Sequence, residues 1–245
     1  MAQESAAPHN AGPVEGSDPL VSVVIAVRNG EQFLGAAIES ALAQTWTHRE
    51  IIVVDGESSD RSRDIARSYA QVRLLPQSSR GFAGAWNEGI LASHGSLIAI
   101  LDSDDLWEPR KIELQVRALA QHPQCGYAVA RTRFLRMPGA PLPPGFDRVD
   151  MEADHSAPYP SAVLARREMF DRVGLFDESL HIASDIEWFR KARDLGIESV
   201  SMPDTLLHRR IHAGNLSSRP PDPSLLNREL LSLLRASIQR RRDGQ

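Results

Sequence analysis

LVSVVIAVRNG, residues 20–30, is the stretch whose reading decides the fold. From Leu20 to Val27 it is an almost unbroken run of β-branched and apolar residues, and it stops at the turn pair Asn29-Gly30. A strand with one wet face alternates polar and apolar residues. A run without alternation suits a strand covered on both faces, and parallel sheets are where such strands occur. Past the turn, Phe33, Leu34, Ala37, Ile38, Ala41 and Leu42 recur at helical spacing and predict a helix from about Glu31 to Gln44. EIIVVDG (50–56) reads as a second buried strand closing on Asp55, and SSDRSRDIARSYA (58–70) as a helix whose Ser and Asp residues suit a cap. VRLLP (72–76) is a third strand, GFAGAWNEGILASHG (81–95) a helix, and SLIAILDSDD (96–105) a fourth strand. This alternation predicts an α/β fold with a mostly parallel central sheet and helices on both faces.

Composition is that of an ordinary globular domain: 245 residues, 42% apolar and 24% charged. The formal charge of -4 argues against a nucleic-acid partner and leaves a bound cation open. The single cysteine, Cys125, excludes an intramolecular disulfide and a multi-cysteine metal site and fits a reducing, cytoplasmic setting. Residues 1–19 lack a basic start and an apolar centre, so they read as a flexible leader and not as a signal peptide. No run of about 18 apolar residues offers a membrane span.

The fourth strand ends in three carboxylates within four positions, Asp102, Asp104 and Asp105. Like charges that close repel, so a positive partner is expected beside them. In sheets of this kind ligands collect at the carboxyl ends of strands, where Asp55 also lies. A lone Asp there is more often a turn or cap residue, but three together suit Mg²⁺ or Mn²⁺, which takes one or two carboxylates and leaves room for phosphate and water. Neither a Walker-type loop nor Gly-x-Gly-x-x-Gly follows the first strand, which argues against a P-loop NTPase and a dinucleotide fold.

In this order and spacing, VSVVIAVRNG, IIVVDGESSD, GFAGAWNEGI and LDSDD resemble the family 2 glycosyltransferases with the GT-A fold, over residues 20–218. The resemblance implies an inverting transfer of a sugar from a nucleotide-diphosphate donor, UDP by default, to an acceptor hydroxyl, with a divalent metal, Mn²⁺ or Mg²⁺. By position, Asp55 would recognise the nucleobase and Ala26, Val27 and Asn29 would line its pocket. Asp102 and Asp104 match the family's Asp-x-Asp motif, Asp102 near the ribose and Asp104 on the metal. HIASDIEWFRKARDLG (181–196) is similar to the segment that supplies the catalytic base, with Asp185 on the base and Glu187 as a second candidate. An apolar stripe of Ile186, Phe189, Ala192 and Leu195 is expected behind Asp185. The helix start and nearby cations are expected to lower its pKa. HRRIHAGNLS (208–217) resembles the family's Arg-x-His-x-x-Asn-Leu-Ser ending, so Arg210, His212 and Asn215 would close over the donor diphosphate, His212 also serving as a metal ligand.

The chain departs from the family pattern at four positions: Ala26 for Pro, Arg28 for Tyr, Trp86 for Arg and Ser184 for Glu. Arg28 reads as a solvated surface residue and Trp86 as core packing. The loss of Glu at 184 keeps a second reading open, a non-catalytic nucleotide-sugar-binding protein of the same fold. An aspartate-dependent phosphatase fits less well, because Leu106 stands where that family has Thr or Val.

The stretch Pro138–Gly145 reads as a loop, with acceptor specificity expected around Met151–Ser161. Residues 219–245 form a Pro-rich linker and an amphipathic helix with Leu226, Leu230, Leu233 and Leu234 on one face and Arg240, Arg241 and Arg242 at its end. Docking on the domain or pairing in a homodimer is the preferred reading. Peripheral contact with the inner face of a membrane is the other, since a leucine stripe beside a basic end suits an anionic bilayer.

Overall fold

The computed structural model describes residues 18–142, 151, 153–215, 229, 231–233 and 235. Strands β1 (Val21–Val27), β2 (Arg49–Asp55), β3 (Val72–Pro76) and β4 (Leu97–Asp102) pair in parallel, and the register sets Val27 beside Asp55 and Ala26 beside Asp102. The carboxyl ends of these strands therefore form one edge. Beyond β4 come β5 (Leu106–Trp107), β6 (Cys125–Arg136), β7 (Val163–Arg166) and β8 (Glu198–Ile211). The sheet order is β3-β2-β1-β4-β7-β6-β8-β5, with β7 antiparallel to both its neighbours and β5 antiparallel to β8.

The helices are α1 (Leu34–Leu42), α2 (Ser62–Ser68), α3 (Gly81–Ala92), α4 (Lys111–Gln121), α5 (Glu168–Arg172) and α6 (Ser184–Asp194). The alternate residues of β1 explain its apolar run. Val21, Val23, Ile25 and Val27 pack with Leu34, Ala37 and Ile38 of α1 and Ile112 and Val116 of α4. Val24 faces the other way, against Ala83, Trp86 and Ile90 of α3 and Trp188 of α6. Ser22 is the buried exception, donating to Glu50 at 2.6 Å and accepting from the Gly95 N–H at 2.8 Å.

The predicted strands and helices of the first half are present, α1 being shorter at both ends than expected. The cap of α2 comes from Asp60, whose Oδ1 accepts from the Ser62 N–H at 2.9 Å and hydroxyl at 2.6 Å. Trp86 packs in the core between Phe82 and Phe176, and Arg28 is exposed.

The stripe expected on α6 is corrected: Ile186 and Leu195 are 49% and 50% exposed, while Ser184, Trp188 and Ala192 are buried. The helix turns its Ser184–Trp188–Ala192 line inward because Trp188, whose Nε1 donates to the Gly174 carbonyl at 2.8 Å, fills the space against Phe170 and Phe176. Of the leader, Asp18 and Pro19 are described and accept hydrogen bonds from His48 and Trp46 through their carbonyls, at 2.6 and 3.1 Å. Most of 219–245, including Leu226, Leu230, Leu234 and Arg240 to Arg242, lies outside the described residues, as do 143–145 of the predicted loop and 146–150 beyond it. Among the described residues no helix is long and apolar enough to cross a membrane.

Candidate active site

β4 delivers Asp102 to the carboxyl edge and the chain turns at once, the Asp105 N–H donating to the Asp102 carbonyl at 3.1 Å. That turn brings ligand atoms of Asp102, Asp104 and Asp105 within 4.8 Å of one another. β5 then pairs with β8, Leu106 opposite His208, so the residues that follow on β8 run past the acidic turn.

Asp104 Oδ2 accepts from His212 Nε2 at 3.0 Å and from Asn215 Nδ2 at 2.7 Å. The Gly214 N–H donates to His212 Nδ1 at 3.1 Å, so it is Nε2 that carries a proton toward Asp104. Metal ligation by His212 Nε2 requires that proton to leave. The Arg210 N–H donates to Asp105 Oδ1 at 3.1 Å, while its guanidinium bonds the Asp104 carbonyl and, at 3.4 Å, that of Phe33, and lies 4.7 Å from the Phe33 ring. Arg210 thus ties the acidic turn to the start of α1. Asp105 is buried and its Oδ2 has no hydrogen-bond partner among the described residues.

Burial and the adjacent Asp104 push the Asp102 pKa up to about 6, with Arg209 pulling the other way. Asp105 is pushed well above the carboxylate range by burial and by its two acidic neighbours. The expected positive partner is Arg209, a residue the motif comparison passes over. Its guanidinium lies over the Tyr159 ring at 4.7 Å, and its charge acts on Asp102, Asp105 and Asp185.

Asp185 lies in the first turn of α6, half-buried, and its charge adds to the rise in the Asp102 pKa. Its own pKa is raised, which corrects the expected lowering: burial outweighs the Ile186 N–H and Arg209. Glu187 is buried in ion pairs with Lys191 at 3.0 Å and Arg190 at 3.5 Å. Ser184 is buried, and its hydroxyl has no partner among the described residues.

On the other side of β1, Asp55 is buried at the end of β2, where its carboxylate takes the Arg63 Nε at 2.5 Å and the Ser58 N–H at 3.2 Å. It borders an open cleft of about 510 Å³ lined also by Glu57, Arg63, Leu75, Pro76 and Gln77. Asn29, with φ 54°, joins the loop after β1 to the loop after β2: its N–H donates to Ser58 Oγ at 2.9 Å and its Oδ1 accepts from the Ser59 N–H at 2.8 Å. A positive φ is tolerated by Asn better than by most side chains. Ala26 and Val27 point to opposite faces of the sheet, and the Val27 carbonyl accepts from the Gly56 N–H at 2.8 Å.

Residues 22–172 match the model of glycosyl transferase family 2, more than half of the chain. The chain belongs to this family. An uncharacterised glycosyltransferase of Rickettsia prowazekii is 31% identical over 214 residues, covering 82% of this chain and 66% of that protein. An Escherichia coli protein named UDP-Glc:alpha-D-GlcNAc-diphosphoundecaprenol beta-1,3-glucosyltransferase WfgD is 35% identical over 108 residues, 43% of each chain. The family 2 chain thus spans less than two thirds of the length of these relatives. Its fold is similar to that of S. aureus TarS in complex with UDP-GlcNAc, with a TM-score of 0.69 at 16% identity over 90% of this chain and 66% of that one. The mannosyltransferase PcManGT of Pyrobaculum calidifontis, in complex with GDP-Man and Mn²⁺, gives 0.61 at 21% identity over 83% and 60%. The architecture is the GT-A fold.

Proposed function

We propose that this family 2 protein is an inverting glycosyltransferase that moves a sugar from a nucleotide-diphosphate donor, a UDP-sugar by default, to an acceptor hydroxyl. The observation that supports the reading most is a triple-aspartate turn at the carboxyl edge of the sheet, with a separate carboxylate, Asp185 at the start of α6, whose charge acts on Asp102. The relative named for a UDP-Glc donor and the structural neighbours holding UDP-GlcNAc and GDP-Man support a nucleotide-sugar donor.

In this reading the nucleobase occupies the cleft beside Asp55 and the loops joined by Asn29, with the end of β1 at Ala26 and Val27 along its border, and the ribose lies against Asp102. The acidic turn suits a hard divalent cation, as its clustered oxygens and the unpartnered Asp105 Oδ2 indicate. Asp104 is the principal ligand, with His212 beside it. A bound Mn²⁺ or Mg²⁺ supplies charge neutralisation for the departing diphosphate. Arg210 holds the Asp104 carbonyl in place, and Asn215 and His212 orient its carboxylate.

Asp185 accepts the proton of the acceptor hydroxyl while that oxygen bonds the anomeric carbon from the face opposite the diphosphate. The bond to the phosphate oxygen breaks with its electron pair, and the configuration inverts. A base works best when its pKa lies near the working pH, and the raised pKa of Asp185 moves it that way. A non-catalytic nucleotide-sugar binder is favoured by one observation, the buried Ser184 hydroxyl where the family has Glu. Asp185→Asn separates the two readings. Loss of about 10²- to 10⁴-fold in nucleoside diphosphate release with donor binding retained is the expected result, and unchanged turnover removes Asp185 from the base role. Contact of the basic C-terminal segment with the inner face of a membrane, or its pairing in a homodimer, completes the proposal for partners.

A further inference from the structure

One buried carboxylate outside the acidic basin has no part in the mechanism above. Glu229, in helical conformation, is 6% exposed. Its Oε1 accepts from the His181 N–H at 2.9 Å, and its Oε2 accepts from the N–H groups of Ile182 at 3.2 Å and Ala183 at 3.3 Å. The His181 ring lies 3.5 Å from Oε1. Successive N–H groups turned toward one anion form a concave seat, and the start of a helix adds partial positive charge to it. Here the anion is supplied by the chain itself, 46 to 48 residues further on.

The seat lies immediately before α6. Ala183 gives its N–H to Glu229 and its carbonyl to the Glu187 N–H at 2.9 Å, so the first turn of α6 begins on the clamped residue. Asp185 is two positions on. Leu233, one turn along the same segment, is buried and anchors it. Hydrogen bonds to a carboxylate are the stronger kind, and among the described residues Glu229 is the acceptor recorded for all three N–H groups.

We propose that Glu229 is a positioning residue for Asp185: its carboxylate fixes the three peptide groups that lead into the helix start and aim the base. The proposal rests on Asp185 being the base. A misplacement of about 1 Å at a reacting group is enough to cost about 10²-fold in rate, so a clamp two residues away is felt in turnover.

The test is Glu229→Gln, which keeps the shape and one oxygen but turns an amide N–H₂ toward N–H donors. Release of nucleoside diphosphate is followed with UDP-glucose, UDP-GlcNAc and GDP-mannose in Mn²⁺, in wild type, Glu229→Gln, Asp185→Asn and the double variant, with amide exchange at His181–Ala183 read alongside. The expected result is a kcat lowered by roughly tenfold or more with donor KM within about twofold, no further loss from Glu229→Gln once Asp185 is Asn, and faster exchange at 181–183 in the variant. A kcat equal to wild type, an equal fractional loss in the Asp185→Asn background, or fast exchange at 181–183 in the wild type overturns the clamp. The wild-type exchange reading decides even where the variant fails to fold. Full turnover by Asp185→Asn fails the base reading instead, and the clamp's catalytic meaning with it.

Discussion

Replacing Asp102 by asparagine is expected to stabilise the metal-free protein at neutral pH. Burial and Asp104 hold the folded-state pKa of Asp102 at about 6, against 3.8 for the free side chain. A pKa raised on folding means that the folded protein prefers the protonated form. The resulting penalty is absent below about pH 4, grows between pH 4 and 6, and is complete above about pH 6. At about 1.36 kcal/mol per unit the gap is worth at most about 3 kcal/mol, or about 6–12 °C in Tm for a domain of this size. Asparagine removes the charge and keeps the backbone N–H that donates to Ser161 Oγ at 3.0 Å. Thermal unfolding of both proteins in EDTA across that pH range should show the variant more stable at pH 7 and the difference closing toward pH 4. Because the Asp102 charge also raises Asp105, the difference reports Asp102 together with the neighbour it acts on, and both act in the same direction. A difference independent of pH, or a variant less stable than wild type at pH 7, would refute the reasoning.

Arg209→Gln removes a cation that lowers the pKa of Asp185 and Asp102. Asp185 then holds its proton to higher pH, and the acid limb of the rate–pH profile should move upward; a limb that stays or moves down contradicts the placement of Arg209. Gly89→Ala tests the seating of α3 on β1, since an added Cβ would stand inside contact distance of Val24 Cγ1. Helix propensity favours Ala by about 1 kcal/mol, whereas overpacking a filled core costs roughly 1–3 kcal/mol. The variant should therefore melt lower; a higher Tm would show that the contact relaxes freely.

The first half of the fold was legible because its signals are local. A strand covered on both faces writes an unbroken apolar run, as in Val21–Val27 and Ile51–Val54, and the helix between them writes its own period. The acidic turn was legible for the same reason. Strands β5 to β8 were not ordered by the sequence reading, because pairing such as Leu106 with His208 spans about a hundred residues and depends on which edge is left free. Arg209 was missed for that reason: an arginine pair on a strand says nothing of the carboxylates it will pass until the pairing is known. The α6 stripe was misread because Ile186 and Leu195 look like core by type, while the bulk of Trp188 decides which side turns inward. The sign of the Asp185 shift was misjudged because a helix start and a cation are visible in sequence and the depth of the basin is not. Glu229 was not singled out, because nothing local in its stretch of chain tells which N–H groups 46 to 48 residues earlier it will meet.

The most direct test of a metal-assisted nucleotide-sugar site at the triple-aspartate turn is thermal stabilisation by nucleoside diphosphates and their sugars, with and without Mn²⁺, in wild type and Asp104→Ala. Stabilisation by one nucleotide that requires Mn²⁺ and is lost in the variant is the expected result. No stabilisation of folded wild type by any of them, or equal stabilisation of Asp104→Ala, would contradict it.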